Sequence, residues 1–111
     1  MSCYVLDASA LFHGRDMRAF QGRLLTTRQI LEELKDPRAQ AALEILGVEV
    51  VDVDERRAEG LAKKAPGLSK ADLSALALAL ETGCTLLTDD VALAKAARKL
   101  GVKVKGFYFV K

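Results

Sequence analysis

The stretch "SKADLSALALALETGCTLLTDD", residues 69–90, holds a complete structural step. Ser69 followed three residues later by Asp72 is a capping-box pattern that opens a helix. The residues that follow are apolar almost all round, so that helix must be covered on most sides. Gly83 ends it. "CTLLT", 84–88, is then an apolar run too short for a helix, and it ends on two adjacent carboxylates, Asp89 and Asp90. A buried helix, a glycine and a short buried strand make one α/β unit.

The same step recurs on both sides. "CYVLD" (3–7) and "RLLTT" (23–27) read as short strands, the first followed by a small-residue turn, "ASA". "TRQILEELKD" (27–36) reads as a helix, with Thr26 and Gln29 as its capping box and Pro37 breaking it or opening a new first turn. A short helix over roughly 38–46 stops at Gly47, and "VEVVDV" (48–53) is a valine-dense strand. A charged helix over 55–65, the helix "VALAKAARKL" (91–100) stopped by Gly101, and a closing strand around "VKVKGFYFV" (102–110) complete the pattern. "LFHGRDMRAFQG" (11–22) reads as a loop or broken helix. Strands alternating with helices predict an α/β/α sandwich around a parallel sheet of about five strands. Neither repeat nor linker divides residues 1–111, so one domain is expected.

At 111 residues and half apolar, the chain can bury a core without help from metals or disulfides. Cys3 and Cys84 each open an apolar run and lack CxxC spacing, so both are expected as buried free thiols. No apolar run is long enough for a membrane span and no secretory signal opens the chain, which predicts a cytoplasmic protein. Asparagine is absent and Lys, Arg and Glu are abundant, a composition that points to a thermophilic source. Lys95, Arg98, Lys99, Lys103, Lys105 and Lys111 give the last 21 residues cations and no acids, which permits an anionic partner.

Ligands of an open parallel sheet bind beyond the carboxyl ends of its strands, where the strand order reverses. Asp7 closes the first strand, and Asp89 with Asp90 follows the "CTLL" strand. Asp72 sits near the start of the buried helix on its inward face, and Glu33 flanks the stripe of Ile30, Leu31 and Leu34 and so faces the interior, unlike Glu32. Each acid alone can be explained as a cap or a solvated side chain. Together they would repel one another unless a cation neutralised them, and an all-oxygen set without His or Cys clusters suits Mg²⁺ or Mn²⁺ rather than zinc. The lone His13 reads as an exposed loop residue.

"VLDAS", "TTRQILEEL", "LSKADLSALALAL" and "LLTDD", in this order over essentially the whole chain, resemble the PIN-domain ribonucleases. The resemblance implies a metal-dependent endoribonuclease acting on single-stranded RNA, with Asp7, Glu33, Asp72 and Asp90 as catalytic acids. Asp7, Asp72 and Asp90 would be metal ligands, with Asp89 at the middle of the TxD turn and Glu33 serving a water or second ion. Ser9 and Thr88 would orient a carboxylate or a water, and Arg15, Arg18 and Arg28 would engage RNA phosphates. The short segment from Asp7 to Thr27 resembles the family that matures the 3′ end of small-subunit ribosomal RNA more than toxin-type PIN ribonucleases. That family carries a zinc ribbon after the PIN domain and nothing follows Lys111 here, so the expectation is a stand-alone relative, or one whose zinc-ribbon or antitoxin partner is a separate protein. A homodimer is implied by resemblance alone. Two other classes compete: a non-catalytic PIN module that holds RNA or protein, and a phosphate-accepting signalling domain of similar topology.

Overall fold

A computed structural model describes residues 2–12, 20–107 and 110. Five parallel strands form one sheet: β1 (Cys3–Leu6), β2 (Arg23–Thr27), β3 (Glu49–Val51), β4 (Thr85–Leu87) and β5 (Val104–Lys105), in the order β3-β2-β1-β4-β5. The strands alternate with α1 (Ala8–Leu11), α2 (Arg28–Glu33), α3 (Pro37–Leu46), α4 (Glu55–Gly60), α5 (Lys70–Thr82) and α6 (Val91–Lys99). Right-handed crossovers put the connections from β1 to β2 to β3 on one face and those from β3 to β4 to β5 on the other. The packing agrees for α1 against α3 and for α5 against α4 and α6, while α2, beyond the carboxyl end of β2, also packs against the start of α5.

The centre of the sheet is apolar on both faces because β1 and β4 are covered on both sides. Val5, Leu6, Leu86 and Leu87 are all fully buried. Helix α5 lies over β1, β2 and β4, and its alanines at 71, 75, 77 and 79, all buried, let it sit close to the sheet. Gly47 and Gly83 end α3 and α5 in the left-handed conformation, φ 66° and 75°, which explains why the chain stops its helices on glycine.

The structure corrects three local expectations. The N-cap of α2 is Thr27, which accepts from the Ile30 amide, while the Thr26 hydroxyl donates to the Leu6 carbonyl on β1. Helix α2 ends at Glu33 rather than near Asp36, because Leu34 turns into the core and Asp36, ahead of Pro37, is extended and caps α3. The two cysteines are not free thiols: Cys3 and Cys84 form a disulfide with Cα atoms 5.0 Å apart. They meet because β1 and β4 are neighbours, and the register that pairs Tyr4 with Thr85 places the residues just before them side by side. Among the described residues no helix is long and apolar enough to cross a membrane.

Candidate active site

The strand order reverses between β1 and β4, and the carboxyl ends of those two strands carry Asp7 and the turn Thr88–Asp90. Asp7 is 2% exposed and N-caps α1, its Oδ1 accepting from the Ala10 amide at 3.0 Å. Two hydroxyls hold the rest of its carboxylate. Ser9 Oγ donates to Asp7 Oδ1 at 2.8 Å and accepts from the Asp89 amide at 2.9 Å. Thr88 Oγ1, fully buried, donates to Asp7 Oδ2 and accepts from the Asp90 amide at 2.9 Å. Each hydroxyl thus ties the aspartate of one strand to the backbone of the next.

The two neighbouring aspartates of the turn diverge. Asp90 is half-buried and N-caps α6, accepting from the amides of Ala92 and Leu93 at 2.9 and 3.2 Å. Asp89 is the more buried, at 9% exposed, and its Oδ1 accepts from the Phe107 amide at 2.7 Å. Asp89 therefore anchors the segment after β5. Replacing Asp90 by asparagine keeps a capping oxygen and should leave the melting temperature near that of the parent, whereas Asp89→Ala removes the acceptor of the Phe107 amide from a buried position and should lower it. Differential scanning fluorimetry of the two variants checks this, and equal melting temperatures would refute the division of labour.

Asp72 forms the capping box foreseen with Ser69, its amide donating to Ser69 Oγ at 3.1 Å. Burial raises its carboxyl above the usual range and the charge of Asp90 raises it further, against hydrogen bonding from Ser69. Asp7 is also raised, first by burial and last by the charge of Asp72, while hydrogen bonds from Thr88, Ala10 and Ser9 pull it down. Asp7, Asp72 and Asp90 are thus electrostatically linked in sequence, Asp7 to Asp72 and Asp72 to Asp90. Asp7 and Asp90 cap helices and Asp72 belongs to the capping box of α5, so a capping role is present at all three positions. Glu33 differs: it is exposed at the end of α2, contrary to the expectation that it faces the interior. Arg28 is exposed and ion-paired with Asp52, and Arg15, Arg18 and His13 lie outside the described residues.

The donor set is carboxylate and hydroxyl oxygen under mutual repulsion, which is the chemistry a hard divalent cation satisfies. Among the described residues, however, no group of three or more His, Cys, Asp or Glu side chains stands at ligating spacing.

A family model described as PIN domain matches residues 14–110. The chain belongs to the PIN-domain family. It is 33% identical to Endoribonuclease Nob1 of Methanocaldococcus jannaschii, in an alignment covering 98% of this chain and 58% of that protein. It is 36% identical to Ribonuclease VapC3 of Aeropyrum pernix, covering 90% of this chain and 82% of that one. The chain therefore spans little more than half the length of the first relative. The fold matches a solved PilT N-terminus domain protein of Sulfolobus solfataricus P2 with a TM-score of 0.70 at 18% identity, over 94% of this chain and 86% of that one.

In this PIN domain two hydroxyls that sequence reasoning missed join the elements around the acids. The Ile30 amide donates to Thr27 Oγ1, which lies 2.7 Å from Ser74 Oγ, and Ser74 donates to the Ala71 carbonyl at 2.6 Å. Both side chains are fully buried, and the chain of hydrogen bonds pins the first turn of α5, and so Asp72, to the start of α2. The only signal in the sequence was a pair of hydroxyl residues inside otherwise apolar segments.

Thr88 has the larger structural burden of the two hydroxyls around Asp7. Thr88→Val strands a buried carboxylate oxygen and the Asp90 amide, and should destabilise the protein by about 2–3 kcal/mol, with Thr88→Ser restoring most of it. Urea unfolding measures the difference; a loss below about 0.5 kcal/mol would mean water replaces the hydroxyl.

Proposed function

We propose that this PIN domain is a divalent-metal-dependent ribonuclease that hydrolyses phosphodiester bonds in single-stranded RNA. The observation that carries the reading is the buried Asp7 carboxylate at the β1/β4 reversal, held at both oxygens by Ser9 and Thr88, whose hydroxyls also bind the amides of Asp89 and Asp90. The ribonuclease names of the two relatives support it. Asp7, Asp72 and Asp90 would hold Mg²⁺ or Mn²⁺, which when bound supplies a positive charge that polarises the phosphate and acidifies an attacking water. Ser9 and Thr88 fix the Asp7 carboxylate in one orientation: Oδ1 is engaged by Ser9 and the Ala10 amide, and Oδ2, bonded to Thr88 alone, keeps a lone pair that would face the ion. Glu33, on the exposed end of α2, would orient a water arriving from solvent.

The test is incubation of purified protein with a single-stranded RNA in Mn²⁺ or Mg²⁺, and in chelator. Cutting that persists in chelator would overturn the metal dependence.

Acid titration of the metal-free protein gives an independent check. Asp7 has its folded pKa raised above the ordinary 3.8, so its contribution to stability is full below that value and is lost as pH rises through the folded pKa. Stability of the parent relative to Asp7→Asn should therefore fall as pH rises from about 4 toward neutrality. Urea midpoints across that range measure it; a constant difference would show that Asp7 is not strained by its charge.

Two biological roles fit the family. The short stretch between Asp7 and Thr27 favours ribosomal RNA processing, and the larger share of VapC3 covered favours the toxin of a toxin–antitoxin pair, whose antitoxin would be the protein partner. A neighbouring reading frame encoding a small antitoxin rather than a zinc ribbon would decide for the second.

A further inference from the structure

We propose that single-stranded RNA leaves the acid site along the edge formed by α6 and β5, with its phosphates on Lys95, Lys99, Lys103 and Lys105. The inference rests on the ribonuclease reading above and names the path its substrate takes. Its first support is the segregation of charge. Six of the seventeen Lys and Arg residues and none of the fifteen acids fall in residues 91–111, so that segment carries +6 and the preceding ninety residues −4. A net charge of +2 conceals a purely basic final segment.

The second support is how the cations are used. Arg23, Arg28, Arg38 and Arg57 are each paired with an acid, Glu49, Asp52, Asp36 and Glu81 respectively. Lys95, Lys99, Lys103 and Lys105 are exposed and make no ion pair among the described residues. Their charge is therefore available to an anion from outside, whereas that of Arg28, the arginine expected at the RNA, is already engaged.

The third support is placement. Helix α6 starts at Asp90, and Lys95 and Lys99, one turn apart, share one face of it about 6 Å from each other. Strand β5 packs on α6 and ends beside the acidic turn, the Thr88 amide donating to the Lys105 carbonyl at 3.0 Å. Around β5 burial alternates, Val102 and Val104 inward and Lys103 and Lys105 outward, so the two lysines share a face about 7 Å apart. Lys95 lies nearer than Lys99 to the N-cap Asp90, and Lys105 nearer than Lys103 to the acidic turn, so each pair leads away from the acid site along its own element. Two pairs of ammonium groups on neighbouring elements, each leading away from the acids, suit a polyanion whose scissile phosphate lies at the acids and whose next phosphates lie on these lysines. Lysines also guard exposed sheet edges against pairing, and the experiment separates the two roles.

Binding is read by fluorescence anisotropy of a labelled oligouridylate in chelator, where no cleavage occurs, across roughly 50–200 mM salt. Replacing all four lysines by glutamine should weaken binding by about tenfold or more and reduce the slope of log affinity against log salt by about 2 to 3, some 0.7 for each lost phosphate contact. Lys63→Gln with Lys64→Gln, exposed elsewhere, should change neither by a comparable amount. An unchanged affinity and slope in the four-lysine variant would overturn the path and leave the lysines as edge guards or as a surface for an acidic protein. Failure of the parent to bind RNA at all would overturn it too. A parent that binds with the expected slope but never cuts in Mn²⁺ would instead refute the ribonuclease reading and leave the path standing.

Discussion

Asp7→Asn is expected to reduce RNA cleavage by more than about 100-fold while leaving the protein folded, because a ligand of the proposed ion should matter more than the outer partners whose loss costs 10 to 100-fold. The two consequences separate because the asparagine carboxamide is the same shape. Its oxygen can still accept from Ser9 and the Ala10 amide, and its nitrogen can donate to Thr88 Oγ1 once that hydroxyl turns. Removing a charge that burial and Asp72 both disfavour should offset what those rearranged bonds lose. Cleavage in Mn²⁺ and thermal unfolding of the same preparation measure the two effects. A variant that cuts at more than a tenth of the parental rate would remove Asp7 from the proposed metal site.

Loss of the disulfide should be the largest change in stability. Cys3 and Cys84 are 81 residues apart, and a cross-link closing a loop of that length stabilises by about 4 kcal/mol in the chain-entropy model. For a domain of this size each kcal/mol moves the melting temperature by roughly 4–8 °C, so reductant or the Cys3→Ala, Cys84→Ala variant should melt some 15–30 °C lower. The bond joins the beginnings of β1 and β4, at the opposite ends of those strands from Asp7 and Thr88, so cleavage measured well below the lowered melting temperature should survive. Scanning fluorimetry with and without reductant, alongside a thiol count, tests this. Identical melting curves for oxidised and reduced protein would show that the bond adds nothing.

What could be read from the chain, and what could not, divides by range. The starts of α5 and α6 and the glycine stops of α3 and α5 were legible, because a capping residue and its partner lie within four positions. The convergence of Asp7 with the Thr88–Asp90 turn was legible only on the condition that their strands were neighbours, which the sheet order satisfies. Thr26 and Thr27 were exchanged as cap because the two are locally equivalent. Only pairing with β1, which gives Thr26 the Leu6 carbonyl, distinguishes them. Glu33 was misjudged because periodicity assumes that the helix continues, and α2 stops there as Leu34 turns into the core. The Cys3–Cys84 bond and the Thr27–Ser74 contact span 81 and 47 positions, and no local pattern announces either.

The pairing of β1 with β4 also sets an order of assembly. Strand β1 is made first and lies at the centre of the sheet, yet its neighbour on one side comes only after residue 84. Such non-local pairing is slow to form, and a chain emerging from the ribosome must hold Asp7 without Thr88 or Asp90 until Thr88, 81 positions later, has been made. The acids proposed to cut RNA therefore come together late. A nascent or truncated chain has the first of them but not the set, so the activity proposed here would switch on with completion of the fold rather than with synthesis of the first strand.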